Sequence, residues 1–238
     1  MKITHAMILA AGLGTRMRPL TNERPKPLIE VAGKALIDWN LDWLNAGGIR
    51  RVVVNSSYRA EQLEAHLAGR AHIRLSREGD PPLETGGGVL QALPLLGDKP
   101  FLTMNSDAIL VNAAHAPHPV VQLAQAWADN LDFVMLLVPR ARAVGWQGAG
   151  DFMLDAGCIR RPQTGEVADY VFTGVQLMHP RVFADAPGDT FSLSALWKQR
   201  VGPDGWYQRI HALVYDGSWI NVGDLAGLEQ AEAYFATA

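Results

Sequence analysis

Apolar residues in this chain gather in short unbroken runs, with segments of helical period between them. Ala6–Ala10 is one such run, Val52-Val53-Val54 within Arg51–Asn55 a second, and Phe101-Leu102-Thr103-Met104 leading to Asn105 a third. Strands wetted on one face alternate apolar and polar positions, whereas strands covered on both faces read as continuous apolar runs. The intervening segments carry helix signals. Leu36–Ala46 presents Leu36, Ile37, Trp39, Leu41, Trp43 and Leu44 on a broad face and stops at Gly47-Gly48. Ala60–Leu67 is amphipathic, Gly87–Leu93 starts another helix, His72–Leu75 reads as a strand and Pro27–Val31 as a short apolar return. Buried strands alternating with helices predict an α/β fold, with a doubly wound, mixed but mainly parallel sheet flanked by helices.

The pattern continues to the C-terminus. Helices are expected at Val120–Asp129, Leu193–Arg200 and Leu225–Phe235, and strands at Phe133–Val138, Gly150–Leu154, Tyr170–Met178, Leu213–Tyr215 and Ser218–Val222. No repeat or low-complexity tract divides the chain, so a single domain over residues 1–238 is expected. Its strands beyond residue 150 would build over the carboxyl edge of the sheet, where ligands sit in such folds.

Composition narrows the function. A hydrophobic share of 48% with 19% charged residues is ordinary for a globular protein, and the net charge of −3 argues against a general nucleic-acid binder. Any anion must therefore be held by local positive charge. The single cysteine, Cys158, excludes an internal disulfide and is expected as a small buried or half-buried hydrophobe. No run is long enough to span a membrane, and Met-Lys-Ile-Thr-His enters the first strand without a signal-peptide cleavage region, so a cytoplasmic location is expected.

The candidate chemistry begins where the first strand ends. Ala10-Ala11-Gly12-Leu13-Gly14-Thr15-Arg16 is a loop poor in side chains, followed by Arg24-Pro25-Lys26-Pro27-Leu28. Such a loop lets backbone N–H groups approach an anion, and Arg16 and Lys26 add two charges that persist at neutral pH. It does not lead into a helix as a dinucleotide-binding Gly-x-Gly-x-x-Gly would, because Pro19 intervenes, and it lacks the Gly-Lys-Ser/Thr of a P-loop. Asp107 follows directly on the strand ending at Asn105, a position for Mg²⁺, which takes few protein carboxylates together with phosphate oxygens.

The run Gly12-Leu13-Gly14-Thr15-Arg16-Met17-Arg18-Pro19-Leu20-Thr21, with Pro25-Lys26-Pro27-Leu28, resembles the signature of the sugar-1-phosphate nucleotidylyltransferases. The resemblance implies a Rossmann-like nucleotidyltransferase fold acting on an NTP and a sugar 1-phosphate. Residues 1–110 would form the nucleotide-binding half and residues 111–238 the sugar-binding half. Arg16 and Lys26 would be catalytic, binding the triphosphate beside Ala11, Gly12, Gly14 and Thr15. Glu84, Thr85, Gly86 and Gly87, from Leu83-Glu84-Thr85-Gly86-Gly87-Gly88, would contact the base, with Glu78 bordering the same pocket. That glycine turn is similar to the form in the branch using UTP and N-acetylmuramate 1-phosphate, which implies a place in cell-wall recycling. Other members pair mannose 1-phosphate with GTP, or glucose 1-phosphate with dTTP or UTP.

The resemblance also implies a Mg²⁺ site on Asp107 and Asn221, the latter lying in Ser218-Trp219-Ile220-Asn221-Val222-Gly223-Asp224 where the family has an aspartate. Asp224 is held in reserve as a ligand and is equally placed to cap the helix beginning at Leu225. The sugar would meet Asn105, Gly150, Asp151 and Arg161, and Arg160 would face a carboxylate on it. Ser106 and Asn221 depart from the family pattern and leave open a sugar-nucleotide-binding regulator without catalysis. Trp146 is expected at a pocket rim. The partners expected are the two small substrates, neither nucleic acid nor membrane, with a monomer or small homo-oligomer.

Overall fold

The computed structural model describes residues 1–237. In chain order the elements are β1 (His5–Leu9), β2 (Glu30–Val31), β3 (Lys34–Ala35), α1 (Leu36–Ala46), β4 (Arg51–Ser56), α2 (Ala60–Leu67), β5 (Ile73–Arg77), α3 (Glu84–Leu96), β6 (Phe101–Asn105) and β7 (Ala108–Val111). There follow α4 (Pro119–Ala126), β8 (Phe133–Pro139), β9 (Ala143–Val144), β10 (Met153–Asp155), β11 (Cys158–Arg160), β12 (Tyr170–Met178), α5 (Ser194–Lys198), β13 (Trp206–Val214), β14 (Ser218–Asn221) and α6 (Leu225–Thr237).

A nine-stranded sheet in the order β10-β11-β13-β8-β12-β6-β1-β4-β5 organises the molecule. Only β11 and β12 oppose the common strand direction, so the sheet is mixed but mainly parallel. Its strands are continuous in apolarity because both faces are covered. On β1, Ala6 and Ile8 pack with residues of α1 and α2, whereas Met7 faces the other way, into the core built with Val89 and Ala92 of α3. The α/β, doubly wound organisation follows directly from this two-sided burial. A small sheet, β7-β14-β9, packs beside the main one and carries Asn221 at the end of β14.

The carboxyl ends of β1, β4, β5 and β6 lie on one edge, because these neighbours are parallel. That edge holds the loops after Leu9, Ser56, Arg77 and Asn105. At the start of β8, Asp132 is buried and takes hydrogen bonds from Arg181 (2.8 Å), Arg200 (2.6 Å) and Arg209 (2.9 Å). Burial alone would raise its pKa, but these bonds and the arginine charges outweigh that and hold it below the usual carboxylate range.

Several expectations change. Cys158 is exposed rather than half-buried, since it sits on the short strand β11 near the sheet's end. The glycines 86–88 are inside α3, which begins at Glu84, and do not form a turn before it. The strand expected at Gly150–Leu154 is confined to Met153–Asp155, while β13 runs from Trp206, well before Leu213.

Candidate active site

At the carboxyl edge an open pocket of about 480 Å³ is bounded by the loop 10–16, by Lys26 and Pro27, by Asn55 and Glu78, by Pro82, Glu84 and Thr85, and by Asn105, Ser106, Asp107 and Gly223. The loop after β1 forms its floor. Gly14 adopts φ 63°, and a side chain there would bring its Cβ to 2.9 Å from Thr21 Cγ2 and 3.0 Å from Lys26 Cβ. Glycine thus permits both the left-handed backbone and the close approach of Lys26. Thr21 Oγ1 donates to Gly14 O at 2.9 Å and fixes the turn. The amides of Ala11, Gly12, Leu13, Gly14 and Thr15 donate to no protein acceptor among the described residues. A loop of open N–H groups bordered by Arg16 and Lys26 has the chemistry to hold an anion.

Lys26 is buried, and its Nζ donates to Asp107 Oδ2 at 2.7 Å and to Gly223 O at 3.3 Å. These contacts join three distant parts of the chain: the segment before β2, the end of β6 and the turn before α6. Asp107 is also tied through its backbone, because Val222 N donates to Asp107 O at 2.8 Å.

Asn221 pairs with Ala108 across the β7–β14 ladder, next to Asp107. Its Nδ2 donates to Gly145 O at 3.3 Å, and the residue borders a smaller adjoining cavity of about 230 Å³ that also touches Arg16, Trp146 and Asp224. Trp146 is therefore at a pocket rim. Asp107 Oδ1 and Asn221 Oδ1 accept no hydrogen bond among the described residues. No cluster of three or more His, Cys, Asp or Glu gathers anywhere among the described residues. Asp107 borders the larger pocket and Asn221 the smaller adjoining one, and one carboxylate with one amide oxygen would suit Mg²⁺ completed by ligand oxygens rather than a metal caged by protein. Asp224 Oδ1 instead accepts Gly227 N at 2.9 Å, the bond of an N-cap to α6.

On the far side, Glu78 and Asn55 form a buried relay. Asn55 Oδ1 accepts Ala10 N (2.6 Å), Asn55 Nδ2 donates to Glu78 Oε1 (2.6 Å), and Glu78 Oε2 accepts Leu83 N (2.8 Å). The relay locks the anion loop, β4 and the start of α3 into one unit. Asn55 escaped the sequence reading; its signal was a polar residue closing the apolar run Val52-Val53-Val54.

Of the four residues expected at a base, Glu84 and Thr85 line the pocket while Gly86 and Gly87 do not. Gly86 N and Gly87 N both donate to Phe191 O, at 2.7 and 3.2 Å. A Cβ on Gly86 would run into Phe191, one on Gly87 into the Asp189 carbonyl and one on Gly88 into Glu78. The glycines serve the packing of α3 rather than an approach of backbone to a base.

The residues expected around a sugar are divided likewise. Asn105 lines the pocket and packs against Gly174, where the β12–β8 register breaks. Gly150, Asp151 and Arg161 line neither cavity. Asp151 Oδ2 accepts Phe172 N at 3.0 Å and its Oδ1 pairs with Arg161 at 3.2 Å. Arg160 makes a two-pronged pair with Glu166, whose pKa is drawn down to about 2 by that bond and by the hydrogen bond from Gln163 N. Arg160, expected to face a ligand carboxylate, is here engaged by a carboxylate of its own chain.

The fold and the pocket at its carboxyl edge are those of a nucleotidyl-transfer class of protein, and comparison with known proteins gives the family. Residues 5–146 match the family model described as nucleotidyl transferase, and the chain belongs to that family of enzymes. It is 44% identical over 98% of its length, and 97% of the relative's, to the N-acetylmuramate alpha-1-phosphate uridylyltransferase of Caulobacter vibrioides. The protein of that name from Neisseria meningitidis is 35% identical over 96% of each chain. Among solved structures, UDP-glucose pyrophosphorylase complexed with UDP-glucose superposes with a TM-score of 0.75 at 16% identity, over 100% of both chains. HddC from Yersinia pseudotuberculosis complexed with GMP-PN gives 0.76 at 19% identity, over 98% of this chain and 100% of that one. At those identities the likeness is one of fold. No helix among the described residues is long and apolar enough to cross a membrane.

Proposed function

We propose that this chain is a sugar-1-phosphate nucleotidylyltransferase that transfers the uridylyl group of UTP to N-acetylmuramate α-1-phosphate and releases pyrophosphate. The observation that carries the reading is the loop of open amides between Ala11 and Thr15, flanked by Arg16 and Lys26 and facing Asp107. The choice of substrates is supported by the Leu83–Gly88 sequence and by the relatives in Caulobacter and Neisseria, which carry that name over nearly their whole length.

In this reading the loop amides and Arg16 hold the triphosphate, and Lys26 passes from Asp107 to the phosphate oxygens. An oxygen of the sugar phosphate attacks the α-phosphorus in line while pyrophosphate departs. Such a transfer needs positioning and charge neutralisation, and no general base, because the attacking phosphate is already an anion near neutral pH. Asp107 and Asn221 would hold Mg²⁺, which would supply charge neutralisation on the phosphates. Residues 1–110 supply the nucleotide side and residues 111–238 the sugar side, with Asn105 at the junction and the Asp151–Arg161 pair tied to β12 through Phe172 N. The enzyme works in the cytoplasm, in cell-wall recycling, as a monomer or small homo-oligomer.

The test is pyrophosphate release from UTP, GTP, dTTP, CTP and ATP, each against the 1-phosphates of N-acetylmuramate, glucose and mannose, with Mg²⁺ or EDTA. Turnover highest with UTP and N-acetylmuramate 1-phosphate, abolished by EDTA, is expected. Preference for GTP with mannose 1-phosphate would reassign the substrates. Binding without release for every pair would make the chain a sugar-nucleotide-sensing regulator.

A further inference from the structure

The buried face of α1 consists of Leu36, Ile37, Leu41, Trp43 and Leu44, interrupted by Asn40, which is 1% exposed. Asn40 Nδ2 donates to Ala108 O at 2.7 Å. Its Oδ1 is buried as well and accepts no hydrogen bond among the described residues. A buried amide oxygen without a donor costs free energy, so packing alone calls for an apolar side chain at this position. What the amide supplies is the bond to Ala108.

The place of Ala108 gives that bond its meaning. Ala108 is the first residue of β7, directly after Asp107, and β7 is the outer strand of the small sheet β7-β14-β9. Ala108 stands opposite Asn221, while Val222 N donates to Asp107 O at 2.8 Å one step along the ladder. Bonded and unbonded positions alternate in an antiparallel pair, so the Ala108 carbonyl points away from β14, to the side where no further strand lies. Asn40 gives it the donor that a neighbouring strand would. The backbone it grips adjoins both side chains assigned to Mg²⁺: Asp107 precedes Ala108 in the chain, and Asn221 faces it across the ladder. A second bond, from Trp43 Nε1 to Asn112 Oδ1 at 2.9 Å, ties α1 to the chain just past the other end of β7.

We infer that Asn40 is a positioning residue, fixing the backbone from which Asp107 and Asn221 present their oxygens. The inference rests on the Mg²⁺ site of the proposed function. Groups that hold metal ligands in place from behind change metal affinity or activity about 10- to 100-fold when they are lost. The two ends of β7 separate this role from simple anchoring. Trp43 anchors the strand at its far end, whereas Asn40 alone grips it beside residues 107 and 221.

The experiment compares the parent with Asn40→Leu, Asn40→Ala and Trp43→Phe. Mn²⁺ binding is followed by electron paramagnetic resonance in the presence of the α,β-methylene analogue of the NTP that the parent turns over. The Mg²⁺ dependence of turnover and thermal melting are measured on the same samples. Asn40→Leu is expected to bind Mn²⁺ about 10- to 100-fold more weakly and to need correspondingly more Mg²⁺ for half-maximal turnover. Its Tm should stay within about 5 °C of the parent, because losing the bond and removing the unpaired oxygen act in opposite directions. Trp43→Phe should lower Tm while leaving Mn²⁺ affinity within about two-fold, since it loosens the end of β7 away from the site. Mn²⁺ affinity within about two-fold of the parent in folded Asn40→Leu or Asn40→Ala would overturn the inference. Equal weakening by Trp43→Phe would overturn it too, as would failure of both Asn40 variants to fold, each leaving Asn40 a structural tie between α1 and β7. A parent that binds the nucleotide analogue but no Mn²⁺ would remove the metal site itself, and the inference with it.

Discussion

Replacing Lys26 by Met separates catalysis from stability at a single atom. The substitution keeps most of the stem and removes the ammonium that Asp107 accepts at 2.7 Å. The two side chains are 11% and 26% exposed, so the pair is partly withdrawn from water. Exposed ion pairs contribute about 0–1 kcal/mol, and breaking a fully buried pair costs about 3–5 kcal/mol. At this exposure the loss should be about 1–2 kcal/mol, or about 2–8 °C in Tm for a chain of this length. Removing one preorganised donor from a site of developing charge costs about 10²–10³ in kcat, roughly 3–4 kcal/mol. Loss of turnover should therefore exceed what any loss of folded protein explains. The assay is pyrophosphate release at saturating substrates, with melting followed by circular dichroism on the same samples. Asp107→Asn should show the same imbalance, and the double variant should destabilise by less than the sum of the singles, because the two share one interaction. Turnover within ten-fold of the parent in folded Lys26→Met would refute the role given to Lys26.

Gly88→Ala should destabilise by about 1–3 kcal/mol in urea melts, because the new methyl enters the space of Glu78 Oε1 and Asn55 Nδ2 and parts a buried hydrogen bond. Asp224→Ala should cost about 1 kcal/mol as a lost helix cap while leaving the Mg²⁺ requirement unchanged, and Asn221→Ala should raise that requirement; the reverse result would make Asp224 the ligand. His118, His179 and His211 all have pKa values lowered first by burial. The unfolded chain then takes up protons near pH 6.5 that the native state refuses, so stability is full above that pH and falls as the solution is acidified toward 5. Tm constant from pH 7.5 to 5 would contradict this, and His118→Phe should flatten the slope.

The fold was legible wherever period and termination signals agreed. Leu36–Ala46, Ala60–Leu67 and Tyr170–Met178 have the bounds their patterns predict, because apolar faces and Gly47-Gly48 or polar flanks leave little choice. The start of α3 was hidden because Gly86-Gly87-Gly88 are poor helix formers. Tertiary contacts reverse that preference: the Phe191 carbonyl takes two of the amides, and neighbouring groups fill the space that side chains would need. The first half of β13 was hidden for another reason. Gln208, Arg209 and His211 interrupt its apolar run, and Arg209 lies at φ +63°. Strand β7 begins one residue after Asp107, and Asp107 reads more readily as a loop residue than as the last residue before a new strand.

The anion end of the candidate site was more legible than the end proposed for the sugar, and charge shows why. Arg16 and Lys26 bring two positive charges to the loop, and Asp107, accepting from Lys26, takes one away. A net single positive charge falls well short of a triphosphate, and the chain as a whole carries −3. In the proposed function the rest of the field comes from groups with no side-chain signature of their own, the open amides of residues 11–15 and the Mg²⁺ proposed at Asp107. Glycine spacing records the first of these, so the loop can be read from sequence. Among the residues expected at a sugar and their neighbours the charges are engaged with one another, Asp151 with Arg161 and Arg160 with Glu166. The first pair ties the segment before β10 to β12 through Phe172 N and the second ties β11 to the loop after it, and sequence does not distinguish a bracing pair from a ligand-binding one. If the amides carry this share of the field, nucleotide affinity should depend more on the loop's shape than on Arg16. Gly14→Ala, which strains the loop and pushes on Lys26 Cβ, should then weaken UTP binding at least as much as Arg16→Ala. Isothermal titration of the two variants decides it, and the reverse order would return the main role to the arginine.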